Sequence, residues 1–126
     1  TMGNLSKNFS RSEFACKGTN CCGHSAPVQT ELISALQALR DHLNLPLSIT
    51  SGYRCNRHNE SVGGAAQSFH TLGMAADVAC PDGLTAEDLA QAAETIPVFQ
   101  QGGIGIYPSW VHFDVRTTGK ARWRND

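Results

Sequence analysis

The 126-residue sequence predicts an α+β domain: a small, mainly antiparallel sheet with helices packed on one side. Three observations carry this. One stretch has strong helical periodicity, several short apolar or alternating runs are bounded by Gly and Pro, and the order reads helix, strand, irregular loop, strand, helix, hairpin. Apolar residues make up 40% and charged residues 17%, enough apolar content for a core and too much for disorder. No linker-like stretch divides the chain, so residues 1–126 read as one domain, with 1–8 expected to be flexible.

Ser10-Arg11-Ser12-Glu13 has the form of a capping box, with Phe9 and Phe14 available to a core. Residues 15–26 read as a loop. Pro27 suits a first helical turn, and Val28, Leu32, Leu36, Leu39 and Leu43 recur at helical spacing, so the spacing predicts a helix over 27–43. Asn44 is a left-handed stop and Pro46 prevents continuation. Leu47 to Thr50 alternates as a short strand does. Arg57 to Val62 forms a helical turn, 65–73 an irregular excursion, and Ala75 to Ala79 a buried strand. Thr85 caps a second helix with Asp88 in the reciprocating position, and Pro97 ends it. Gly103–Tyr107 and Trp110–Val115 read as a hairpin turning at Pro108-Ser109. The polar, basic tail from Thr117 offers Trp123 as an anchor.

Ten Lys and Arg face eleven Asp and Glu, for a net charge of −1. So weak a field argues against a dedicated nucleic-acid or membrane-surface binder, and no apolar run has the length of a membrane span. Neither nucleic acid nor membrane is expected as a partner, and a monomer is expected. No apolar signal-peptide stretch follows the N-terminus.

The chemistry concentrates in Ser68-Phe69-His70-Thr71-Leu72-Gly73-Met74-Ala75-Ala76-Asp77 and in Trp110-Val111-His112-Phe113-Asp114. Gly73 lets the chain turn, so His70 and Asp77 can converge. His112 and Asp114, two apart on a strand, share a face. Two imidazoles and a carboxylate suit zinc and leave a fourth position open. Spacing alone leaves separate polar residues as an equal alternative.

At every defined position, Ser68-x-His70-x-x-Gly73-x-Ala75-x-Asp77 resembles the S-x-H-x-x-G-x-A-x-D signature of the zinc D-Ala-D-Ala carboxypeptidase family, which is related in fold to the amino-terminal domain of hedgehog proteins. The resemblance extends to Ser51-Gly52-Tyr53-Arg54, Asn59, Val62-Gly63-Gly64, Gly103-Ile104-Gly105 and Val111 to Arg116. It implies one Zn2+ per chain on His70, Asp77 and His112, a substrate-binding role for Arg54, and a peptidoglycan peptide as substrate. Ser68 is assigned to the substrate-binding loop, where it bonds a metal ligand or fixes the turn. The implied activity is hydrolysis of D-residue-containing bonds at the bacterial cell wall, as a carboxypeptidase or endopeptidase. A phage lysin and an exported bacterial enzyme both fit. A non-catalytic zinc-containing binding domain of hedgehog type is the alternative.

The family places a Glu or His shortly before the last ligand. Here Tyr107, Pro108, Ser109 and Trp110 stand there. Asp114 is therefore the nearest candidate for the catalytic base, with holding a ligand histidine or pairing with Arg116 as its other roles. Glu60 and His58 come next. His42 reads as a surface residue at a helix end.

Cys16, Cys21, Cys22 and His24 match no standard finger spacing, so a second zinc site is not expected there. A Cys16 bridge to Cys21 or Cys22, or thiols, is the alternative, and a Cys55–Cys80 bridge would brace the cleft.

Overall fold

The computed structural model describes residues 5–18, 22–23, 26–63 and 68–125. Two short 3-10 turns cover Arg11–Phe14 and Phe69–Leu72. The helices are α1 (Thr30–Leu43), α2 (Asn56–Ser61), α3 (Ala86–Ala93) and α4 (Pro97–Gln100). The strands are β1 (Ser48–Ser51), β2 (Ala75–Ala79), β3 (Gly103–Ile106), β4 (Trp110–Asp114) and β5 (Ala121–Arg124). They form one sheet in the order β1-β2-β4-β3-β5, antiparallel except for the β3–β5 pair.

The sheet is amphipathic by strand period. Ala76, Val78, Ile104, Val111 and Phe113 point to one side and join Leu32, Leu36 and Leu39 of α1, Leu89 and Ala93 of α3 and Phe99 of α4 in the core. The stacked rings of Phe99 and Phe113, 5.0 Å apart, fasten α4 to the central strand. The opposite side carries the polar residues of β2 and β4. The expected α+β layering holds.

Several elements differ from their sequence reading. Helix α1 starts at Thr30, because Gln29 is extended and its N–H is taken by the Gly73 carbonyl (2.8 Å). Residues 27–29 are spent packing on that glycine. A Cβ at Gly73 would lie 2.6 Å from the Pro27 carbonyl, and its φ of +70° already requires glycine. At its other end α1 stops as expected, with Asn44 left-handed at φ 53°. Helix α3 stops at Ala93, ahead of Pro97, and Pro97 instead opens α4 at its first position. Of the segment 1–8 expected to be flexible, residues 1–4 lie outside the described residues; within 5–8, Ser6 Oγ donates to Gln37 Oε1 of α1 at 2.7 Å and the Asn8 N–H donates to the same oxygen at 2.9 Å. The tail from Thr117 contains β5, and Trp123 anchors it by lying over Gly105. Among the described residues, no helix is long and apolar enough to cross a membrane.

Candidate metal centre

One row of residues crosses all five strands. Ser51 of β1 pairs with Asp77 of β2, Asp77 with His112 of β4, His112 with Gly105 of β3, and Gly105 with Trp123 of β5. Register therefore puts Asp77 and His112 side by side on the polar face. His70 comes from outside the sheet, on the 3-10 turn Phe69–Leu72. Ser68 caps that turn, its Oγ accepting the His70 N–H at 3.2 Å, and left-handed Gly73 ends it. Of the segment 65–73 read as irregular, residues 65–67 lie outside the described residues, and 68–73 form a short capped turn that aims one imidazole at the sheet.

His70 Nε2 lies 3.3 Å from Asp77 Oδ1, and His112 Nδ1 lies 3.4 Å from the same oxygen. All three residues are buried. Ligands about 2.0–2.1 Å from a tetrahedral zinc stand about 3.3–3.4 Å from one another. The remaining ring nitrogens are committed elsewhere. His70 Nδ1 meets the Gly52 carbonyl at 2.8 Å, and His112 Nε2 meets Asp114 Oδ2 at 2.8 Å. With those nitrogens as donors, Nε2 of His70 and Nδ1 of His112 are left with lone pairs facing Asp77. The donor set fits the metal that the sequence implies.

The electrostatics follow from this packing. In the metal-free protein, burial alone would raise the Asp77 carboxyl, but once the facing nitrogens of His112 and His70 carry protons their hydrogen bonds outweigh burial and hold it well below the usual carboxylate range. Burial alone would lower His112. Its bonds to Asp114 and Asp77 outweigh that and raise it.

Asp114 has no exposed surface. Its Oδ1 accepts from the Gly103 N–H (2.9 Å), the Arg116 N–H (3.1 Å) and Arg116 Nε (2.9 Å), and its Oδ2 from His112 Nε2 (2.8 Å) and an Arg116 terminal nitrogen (2.7 Å). A carboxylate with both oxygens engaged and no path to water does not fit a general base. Of the roles open to Asp114 from its sequence position, these contacts match holding His112 and pairing with Arg116. Burial pushes the carboxyl up, but the bonds from His112 and Arg116 prevail and hold it low. Gly103 makes this close approach possible, since a Cβ there would lie 2.2 Å from Asp114 Oδ2.

Arg54 enters from the β1–α2 connection. Its Nε donates to Ser51 Oγ (3.1 Å), one terminal nitrogen to Asn59 Oδ1 (3.2 Å) and the other to Asp77 Oδ2 (3.3 Å). Asp77 therefore offers one oxygen to the histidines and the other to Arg54. These residues line a cleft of about 420 Å³ with Ser68, Phe69, Tyr107, Arg116 and Trp123. Sequence reasoning named Tyr107, Arg116 and Asn59 without giving them a place in the cleft, where Tyr107 and Arg116 line the wall and Asn59 holds Arg54. Trp123 lies 5.0 Å from the His112 ring, and its Nε1 donates to the Tyr107 hydroxyl at 3.1 Å. Arg116 lies over the Phe69 ring at 4.4 Å. The glycine at 105, inside a strand, was the available signal: a Cβ there would strike the Trp123 indole. His58 and Glu60 lie on α2 and are not among the cleft residues.

Two histidines and an aspartate that could hold a metal ion, gathered on the polar face of an α+β domain's sheet, define a candidate metal-binding domain. The Peptidase M15 family model matches residues 7–114, and the chain belongs to that family. No curated protein matches the chain.

Proposed function

We propose that this chain is a zinc peptidase that hydrolyses D-amino-acid-containing peptide bonds of bacterial peptidoglycan, working as a monomer at the cell wall. The observation that carries the reading is the convergence of His70 Nε2, Asp77 Oδ1 and His112 Nδ1 within 4.8 Å of one another, with Asp77 Oδ1 3.3 and 3.4 Å from the two nitrogens and each histidine oriented by a fixed partner on its other nitrogen. His70, Asp77 and His112 would hold the zinc, which would supply Lewis-acid chemistry and a water of lowered pKa.

The chain's own residues do the rest. Arg54 has five N–H groups and three recorded acceptors, so two remain for a substrate carbonyl or carboxylate. The Tyr107 hydroxyl accepts a hydrogen bond from Trp123 Nε1 and can donate one of its own into the cleft. Phe69, Tyr107 and Trp123 supply apolar walls, while Arg54 and Arg116, each paired with an aspartate, bring guanidinium groups to the cleft. That combination suits a stem peptide, whose apolar alanines end in carboxylates. Purified peptidoglycan incubated with the protein and analysed by mass spectrometry tests the reading. Release of D-Ala or of shortened muropeptides is expected, and an unchanged muropeptide profile with zinc fully bound overturns it.

One observation favours a second reading. Among the described residues lining the cleft, no carboxylate or imidazole stands apart from the three ligands. A zinc-containing binding domain without hydrolysis would retain muropeptides intact, and the same experiment with a pull-down of labelled wall fragments separates the two.

A further inference from the structure

A second cluster of metal-ligating side chains lies outside the cleft. The sulfurs of Cys16, Cys22 and Cys55 all lie within 4.8 Å of one another. Cys16 and Cys55 are buried and Cys22 is half-buried. The two buried residues come from segments 39 positions apart, with Sγ atoms 3.8 Å from each other. The sequence reading grouped Cys16 and Cys22 with Cys21 and His24. Cys21 and His24 lie outside the described residues, and the folded chain supplies Cys55 as the third thiol. Cys55 is directed at Cys16, not at Cys80.

We infer that Cys16, Cys22 and Cys55 form a second, structural Zn2+ site. Two thiolates about 2.3 Å from a tetrahedral zinc stand about 3.8 Å apart, which is the Cys16–Cys55 separation. A disulfide would need the same sulfurs near 2.05 Å. Cys55 Sγ also accepts the His58 N–H at 3.4 Å, which fixes its position at the start of α2. Binding releases the three thiol protons to solvent and leaves one tetrahedral position for a further donor. The proposal rests on the three described thiols alone.

The location gives such an ion a task. Cys55 directly follows Arg54, and Cys16 lies two residues after Phe14. The Phe14 carbonyl accepts the Tyr53 N–H at 2.8 Å, and Gly52 packs against the Phe14 backbone so closely that a Cβ would sit 2.5 Å from its Cα. Zinc on the three sulfurs fastens the N-terminal segment to the turn that carries Arg54 and the Gly52 carbonyl under His70.

The test is elemental analysis of the whole chain, purified under reducing conditions without chelator, together with cobalt substitution. Wild type is expected to hold two zinc ions per chain. His70→Ala and Cys22→Ser should each hold one, and Cys80→Ser, outside the cluster, should keep two. The cobalt form of His70→Ala should retain thiolate-to-metal charge-transfer absorption in the near ultraviolet, and Cys22→Ser should lose it. If Cys22→Ser does not fold, the His70→Ala spectrum decides. Absence of that absorption in His70→Ala, or a Cys16–Cys55 disulfide found by peptide mapping of the isolated wild type, overturns the proposal. The two metal readings fail separately. A wild type with one zinc, insensitive to His70→Ala and lost with Cys22→Ser, supports the thiolate site and removes the His–Asp–His one.

Discussion

The metal centre has two halves built in different ways. Asp77, His112 and Asp114 stand on adjacent central strands, where five cross-strand pairs between β2 and β4 fix their register. Arg54, Ser68 and His70 stand on connections, held by a capped turn and by backbone carbonyls. The orienting partners differ as well. His112 is held by a fully buried carboxylate that is itself held by Arg116, whereas His70 is held by the neutral Gly52 carbonyl. A central sheet preorganises charge at little cost in mobility, and connections supply reach. The sheet half should therefore persist without metal, while the loop half should depend on it.

Removing a ligand from either half tests this with the largest effect. His70→Ala and His112→Ala should each reduce zinc in the cleft to background and abolish activity. Their effects on the metal-free protein should differ. His112→Ala removes a buried partner from Asp77 and Asp114 and should lower stability by roughly 3 kcal/mol, the scale of a broken buried pair. His70→Ala should cost clearly less. Equal denaturation midpoints for the two apo variants would erase the distinction. Next in size is Arg54→Lys, which keeps charge but loses the planar fork that spans Ser51, Asn59 and Asp77. Turnover of muropeptides should fall about 10²-fold, with zinc retained, if Arg54 contacts the developing negative charge.

The unequal legibility of the two halves in the sequence has the same origin. His70, Asp77 and His112 were readable because a short motif and strand alternation both act over a few residues. The α1 stop at Asn44 and the Thr85 cap were readable for the same reason. What lay hidden is long-range. Strand β5 is polar and alternates only weakly, and its parallel partner β3 leaves no local turn to announce it. Asp114 could be placed on the metal face from its spacing. Spacing says nothing about Gly103 and Arg116, which close around it and remove it from solvent. The start of α1 was misplaced because Gly73, more than forty residues away, takes the Gln29 N–H.

Asp114→Asn probes the sheet half at intermediate size. The shape survives, but Asn cannot accept from His112 and Arg116 with a full negative charge. Zinc affinity should drop about 10- to 100-fold, the usual cost of losing such a partner, measured by competition with a chelator dye. A pH signature accompanies it. In the metal-free wild type His112 titrates above its ordinary value of about 6.5. Its contribution to stability is therefore fully present below about pH 6.5 and is lost as pH rises through the raised value. Asp77 and Asp114 are held low, so their contribution is present above the ordinary carboxylate range and is lost only as pH falls below it. In Asp114→Asn the loss on the alkaline side should begin at lower pH. An NMR titration of the His112 ring checks this, and an unshifted titration would mean that Asp114 does not set the charge of His112.

Ser68→Ala is the matching change in the loop half and should have the smallest effect. Its hydroxyl accepts the His70 N–H at 3.2 Å and caps the 3-10 turn, while its carbonyl already receives the Thr71 hydroxyl at 2.6 Å. Alanine keeps the carbonyl bond and loses only the cap, which is worth about 1 kcal/mol in comparable positions. Much of that loss should fall on the local turn, because Gly73 and the His70–Gly52 bond still hold its other end. In apo protein, hydrogen exchange of the amides of residues 70–73 should therefore speed up while exchange in β2 and β4 stays unchanged. Zinc should restore most of the protection, since the ion pulls the His70 ring onto the sheet. Zinc affinity should fall only a few-fold, by linkage to the ~1 kcal/mol needed to reorder the turn. If exchange in β4 rises together with that of the turn, the two halves are one cooperative unit, and the loop would have to be regarded as an extension of the sheet.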